Sequence, residues 1–181
     1  MNPMLSALRE LETVALTLDD AQVEAACQTI ANAGKIVLYG CGREGLMMRA
    51  LAMRLHHLGL HVTMQGDMAA PPLGTGDLFL CSAGPGELST VTALMGVAQR
   101  DGARVLMVTA EPDKPSPARA DQLLVIPAQT MARDLGGIST LPMGSLFEGA
   151  MFLVFEIMVL RLATLLGQTP EAMRARHTNL E

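Results

Sequence analysis

The stretch Lys35–Gly59, KIVLYGCGREGLMMRALAMRLHHLG, sets the reading of the rest of the chain. It begins as a short apolar strand, Lys35 to Tyr39, and runs into a glycine-rich turn, Gly40 to Gly45. That turn opens a helix of about fifteen residues ending near Gly59. Glycines at 40, 42 and 45 let the backbone turn sharply and approach a ligand closely. The helix that follows aims unpaired N–H groups and the positive end of its dipole at the same place, so the unit is suited to a negatively charged group.

On the N-terminal side, Leu5, Leu8, Leu11, Val14 and Ala15 lie at helical spacing within residues 4–16. A second helix is expected over 19–33, entered at Thr17 and closed by Gly34. On the other side, LHVTM at 60–64 alternates as a strand, and Ala69–Gly76 is too rich in Pro and Gly for regular structure. DLFLCS at 77–82 reads as a third strand, followed by a second glycine turn, AGPGE at 83–87, and a helix to about Arg100. ARVLMVT at 103–109 and DQLLVIP at 121–127 are two more strands, and the prolines of EPDKPSPARA between them allow only a brief helical turn. Strands separated by helical crossovers predict an α/β fold: a doubly wound, five-stranded parallel sheet of flavodoxin-like order 2-1-3-4-5. The expected layout is one domain over 1–181, with N-terminal helices at 1–33, the sheet core at 34–128 and C-terminal helices at 145–181.

Gly136, Gly137 and Pro142 forbid a long helix between Gln129 and Pro142, so a loop delivers the chain to Ser145. The apolar helix that starts there is interrupted by Glu156 and Arg161, which argues against a membrane span and for burial between the sheet and another subunit. Thr169 caps a last short helix beginning at Pro170. The chain has 50% apolar residues, 17% charged residues and a net charge of −5, so either the core is large or part of the apolar surface is an interface. With no Trp, one Tyr, four Phe and no basic block, the stacking platforms and electrostatic footprint of nucleic-acid binding are missing. The N-terminal segment mixes Arg9, Glu10 and Glu12 into its apolar residues, unlike a signal peptide, and a cytoplasmic location is expected. Cys27, Cys41 and Cys81 match neither a disulfide framework nor a metal knuckle, and no metal site is expected. Cys41, inside the glycine turn, is either a thiol facing the site or a small buried side chain, the second being the commoner use.

In a sheet of order 2-1-3-4-5, strands one and three are neighbours whose crossovers leave on opposite faces, and a ligand is expected outside their carboxyl ends. The loops there are Gly40–Gly45 and Ala83–Glu87, both glycine turns entering helices. A tight turn would explain one such loop; two at the switch point indicate a ligand. A dinucleotide is a rival occupant, because GCGREG is G-x-G-x-x-G after a strand and Asp67 stands where a ribose-binding acid would. Against an NAD-binding domain, a dehydrogenase would still need a substrate domain, Arg43 would crowd the pyrophosphate turn, and the second glycine loop would have no role.

Taken together, GCGREG, the MRLHHLG that ends its helix, the loop after DLFLCS, PMGSLFE and the terminal RHTNLE resemble the sugar isomerase (SIS) domain family from about residue 30 onward. The resemblance implies a homotetramer with active sites shared between subunits. It also implies interconversion of a 3-ketohexose 6-phosphate with fructose 6-phosphate, without metal or organic cofactor. Glu148 matches the family's proposed base; its plainer reading is half of an S-x-x-E capping box with Ser145. His57 matches a histidine the family places in the active site. It lies twelve residues beyond Gly45, about 18 Å along a helix, so it would serve the site of a neighbouring subunit or else only face its own helix dipole. His177 would likewise reach a partner's site or decorate a tail.

Substrate contacts are expected from Gly40, Gly42, Arg43 and Glu44 in the first loop and from Ser82, Gly84, Gly86, Glu87, Ser89 and Thr90 around the second. The chain departs from the family pattern here. Ala83, Pro85 and Leu88 stand where the family's S-G-S-G-E-T loop has Ser, Ser and Thr, and Glu44 where the first loop commonly has Ser. Two carbon-only side chains, a proline without an N–H and an added carboxylate work against a bound dianion. Ser82, Ser89 and Thr90 are the candidate substitutes, and Glu44 is expected to bond sugar hydroxyls, to pair with Arg43 or Arg49, or to act only as a first-turn charge. A sugar-binding module without catalysis is the alternative that these departures favour.

Overall fold

The structure, a computed structural model, describes residues 2–134 and 139–180. Gly136 and Gly137 of the expected loop and the terminal Glu181 lie outside them. Helices α1 (Pro3–Thr17) and α2 (Asp20–Ala31) lead into β1 (Ile36–Gly40), α3 (Gly42–His57) and β2 (Val62–Met64). Then follow β3 (Leu78–Ser82), α4 (Ser89–Arg100), β4 (Arg104–Thr109), β5 (Gln122–Val125), α5 (Ser145–Leu165) and α6 (Pro170–Ala175). The strands form one parallel sheet in the order β2-β1-β3-β4-β5.

Alternation along each strand divides the core in two. Ile36 and Leu38 of β1, Leu78 and Leu80 of β3, and Leu106 and Val108 of β4 face the layer built from α2, α3 and α5. Val37, Phe79, Cys81, Val105 and Met107 face the other way, onto Val91, Met95 and Ala98 of α4. The crossovers after β1 and β3 therefore do leave on opposite faces, and a crevice opens between their carboxyl ends.

Several local expectations are corrected. Helix α2 is capped by Asp19, whose Oδ1 accepts from the N–H groups of Ala21 and Gln22; Thr17 instead donates back to Thr13 and Val14 of α1. That helix closes at Asn32 rather than Gly34. The first glycine turn is shorter than its sequence suggests, because Gly42 already begins α3 and Cys41 alone separates strand from helix. Gly45 is needed for this tightness: a Cβ there would lie 2.5 Å from the Gly40 carbonyl oxygen. The segment before α5 holds two 3-10 turns, Met131–Arg133 and Pro142–Gly144.

Helix α5 buries Phe147, Met151, Phe155, Met158 and Leu162 against the core, while Phe152, Leu153, Ile157 and Leu160 on its outer side are exposed. No helix of the described residues is long and apolar enough to cross a membrane.

Candidate active site

A cavity of about 330 Å³ lies at the crevice. The first loop contributes Cys41, Gly42, Arg43 and Glu44, and the second contributes Pro85 and Leu88. Thr130, Met131, Met143 and Gly144 close it from the segment before α5, and Phe147 and Glu148 line it from the first turns of α5. Cys41 is half-buried on this wall, packs against the α4-side core and has its Sγ 3.6 Å from the Tyr39 hydroxyl, so each of its two readings is met in part.

Gly144 makes the closure possible. Its φ of 74° follows a φ of 54° at Met143, and a Cβ at Gly144 would lie 2.2 Å from the Met131 nitrogen. Only glycine allows the Thr130 segment to seat so closely on the start of α5. Two successive left-handed residues, one of them Met143, are a costly backbone placed next to a site.

The capping box does not form. The N-cap of α5 is Gly144 with no side-chain cap bond, and Ser145 donates instead to the Pro142 carbonyl at 2.7 Å while accepting from Arg43 Nη1 at 2.5 Å. Arg43 also donates to the Met143 carbonyl and holds Glu148 Oε1 at 3.3 Å from its Nη2. Glu148 Oε2 is buried and has no hydrogen-bond partner among the described residues. Burial pushes the Glu148 carboxyl above the usual carboxylate range, against the opposing pull of its own backbone N–H and of Arg43. A carboxylate with one oxygen fixed by a guanidinium and the other unpartnered beside a cavity is suited to take a proton from a bound molecule.

Glu44 pairs with neither Arg43 nor Arg49. Its side chain folds inward to 8% exposure, where the Gly84 N–H donates to both carboxylate oxygens at 3.0 Å and the Ser82 hydroxyl donates to Oε2. Desolvation by burial raises its pKa most, Ser82 and Gly84 oppose that, and the nearby Glu148 charge raises it further.

The other expected contacts divide. Gly42, Arg43 and Glu44 line the cavity, whereas Gly40 and Gly84 lie behind it as the backbone on which Gly45 and Glu44 pack. Ser82 is buried and spent on Glu44, and Glu87, Ser89 and Thr90 are exposed and line no part of the cavity. Gly86 is buried against Glu111 and Lys114.

His57 and His177 come together elsewhere. Their rings are 5.3 Å apart in a second cavity of about 480 Å³, at the C-terminal end of α3, with Arg54, Arg174 and Gln168. Among the described residues, the two cavities share no lining residue. Asp67, the acid of the dinucleotide reading, accepts from the Met64 N–H at 3.2 Å and lines a third cavity away from the glycine turn.

Thr130 was not legible from sequence. It is 3% exposed, lines the cavity at the crevice, and its Oγ1 has no hydrogen-bond partner among the described residues. It sits in no motif, and only the tight turn at Gly144 brings it to Glu148.

The SIS domain family model matches residues 29–152. The chain belongs to the SIS domain family. Over 178 residues it is 36% identical to the 3-hexulose-6-phosphate isomerase of Mycobacterium gastri, covering 98% of this chain and 89% of the relative. It is 31% identical to the enzyme of the same name from Bacillus subtilis (strain 168), covering 96% of this chain and 95% of the relative. Among solved structures, a hypothetical protein from Methanococcus jannaschii, whose structure was taken to infer a 3-hexulose-6-phosphate isomerase, superposes with a TM-score of 0.86 at 22% identity over the full length of both chains. That likeness shows the shared SIS fold.

Proposed function

We propose that the chain is a sugar-phosphate isomerase that moves a carbonyl between adjacent carbons through an enediolate, in the manner of a 6-phospho-3-hexuloisomerase. The observation that carries this reading is the unpartnered, buried Oε2 of Glu148 beside a cavity at the switch point of a SIS fold. Glu148 removes the proton from the hydroxyl-bearing carbon next to the carbonyl. The electron pair forms the carbon–carbon double bond and the carbonyl oxygen becomes the enediolate oxygen. The hydroxyl proton passes between the two oxygens, and protonated Glu148 returns its proton to the former carbonyl carbon. Arg43, the one cationic side chain among the described residues that line the cavity, holds Glu148 in place and faces the developing negative charge.

His57 and His177 cannot join Glu148 within one subunit, since they line a different cavity. In this reading they complete the site of a neighbouring subunit, in a homo-oligomer for which a tetramer is favoured, and the protein works in the cytoplasm without a cofactor. The exposed apolar residues of α5 support such an assembly.

Incubation of the purified protein with D-fructose 6-phosphate, followed by chromatographic separation of hexulose phosphates, tests the reading. Formation of the 3-ketose isomer is expected. Saturable binding of sugars with no turnover of any hexose or pentose phosphate would replace it with a non-catalytic sugar-binding role.

A further inference from the structure

A glycine loop and helix N-termini at the carboxyl ends of neighbouring parallel strands form a place where backbone N–H groups hold an anion. Here one of those N–H groups, that of Gly84, is taken by the chain itself. Both oxygens of the Glu44 carboxylate lie 3.0 Å from the Gly84 nitrogen, and the Ser82 hydroxyl donates to the same group. The contact is clamped: a Cβ at Gly84 would lie 2.8 Å from the Phe147 ring and 3.0 Å from Glu44 Oε1, so neither ring nor carboxylate has room to withdraw into the loop. Beyond it, the second loop shows the cavity only Pro85, which has no N–H, and the hydrocarbon of Leu88. Among the described residues, one guanidinium and two carboxylates are the charged side chains lining the cavity. Thr130 also lines the cavity, and its buried hydroxyl, which has no hydrogen-bond partner among the described residues, can both donate and accept.

We propose that Glu44 determines the specificity of the site: its carboxylate occupies the anion position of the Ala83–Leu88 loop, so the substrate meets this wall and Thr130 with uncharged hydroxyls. Any phosphate the substrate carries stays outside the loop. The proposal rests on the isomerase reading for the identity of the sugar, but the occupancy of the loop can be tested without turnover.

Calorimetric titration of inorganic phosphate into the purified wild type, Glu44→Ser and Glu44→Gln tests it directly. The expected result is phosphate binding tighter by about tenfold or more in Glu44→Ser, the scale on which a neighbouring like charge acts. Glu44→Gln, which keeps the shape and removes the charge, should gain part of that. Thr130→Val should raise KM for fructose 6-phosphate severalfold and leave phosphate binding unchanged. Equal or tighter phosphate binding by the wild type than by both Glu44 variants would overturn the proposal, as would a Thr130→Val variant with unchanged KM. If Glu44→Ser does not fold, the isosteric Glu44→Gln decides by the same comparison. Should no sugar be turned over by any variant while the difference in phosphate binding holds, the isomerase reading fails and the assignment of Glu44 stands.

Discussion

Replacing Glu148 by Gln keeps the size of the side chain and an oxygen for Arg43 while removing the basic oxygen. Two magnitudes then separate. The ion pair with Arg43 is 3.3 Å long, with side-chain exposures of 45% for Arg43 and 17% for Glu148. A pair so open to water contributes no more than about 1 kcal/mol, which for a chain of this size moves Tm by about 2–4 °C. Loss of a positioned base slows proton transfer by about 10²–10⁴-fold, or roughly 2.7–5.5 kcal/mol of barrier at 1.36 kcal/mol per tenfold. The assay is deuterium incorporation from heavy water into the carbon beside the carbonyl of fructose 6-phosphate, followed by proton NMR, with Tm measured on the same samples. Expected is a loss of exchange of at least about a hundredfold with a nearly unchanged Tm. The pH profile carries a second check: burial holds the Glu148 carboxyl above its ordinary 4.5, and a base must be ionised, so the wild-type rate should climb as pH rises through that raised value. Full exchange by Glu148→Gln would refute the assignment of the base.

Gly84→Ala should lower stability by about 1–3 kcal/mol, because the new methyl meets a Phe147 ring that is 1% exposed and cannot rotate away; a urea midpoint equal to that of the wild type would show that the clamp is loose. Glu44 and Glu148 are both held above the ordinary value of 4.5, chiefly by burial, so the native state binds more protons than the unfolded chain in the window above that value. Stability from these groups is therefore fully present below about pH 4.5 and is lost as pH rises through their raised folded values, and Glu44→Gln should flatten that decline in urea titrations above about pH 4.5. An undiminished slope in the variant would assign the dependence to other groups. Phe152→Glu and Leu160→Glu, on the outer side of α5 at 50% and 64% exposure, should lower the mass measured by light scattering and reduce activity with it; a wild type that is already monomeric would remove the shared-site arrangement of His57 and His177.

The features that sequence encodes locally were legible. Strand periodicity, the two glycine turns and the crossovers predicted the sheet order β2-β1-β3-β4-β5, and the position of the switch point followed from that order. Glu148 was found as a residue, though its role stood open between base and cap. That choice needed the backbone: the left-handed Gly144 is the N-cap of α5, which leaves Ser145 inside the helix and frees the carboxylate from a capping box. Ser89 and Thr90 were named because they follow the second loop, and they fall on the exposed first turn of α4 because a helix sends neighbouring residues in different directions.

By itself the sequence determined the elements, their order and the crevice, since turn chemistry and apolar periodicity are properties of neighbouring residues. Only the tertiary structure decided what fills the crevice. Glu44 reaches Gly84 across 40 positions, Arg43 reaches Ser145 across 102, and Thr130, itself outside any motif, is seated by the distant turn at Gly144. Such pairings depend on how α3 and α5 pack on the same sheet face, and packing of that kind leaves no local signal in the chain.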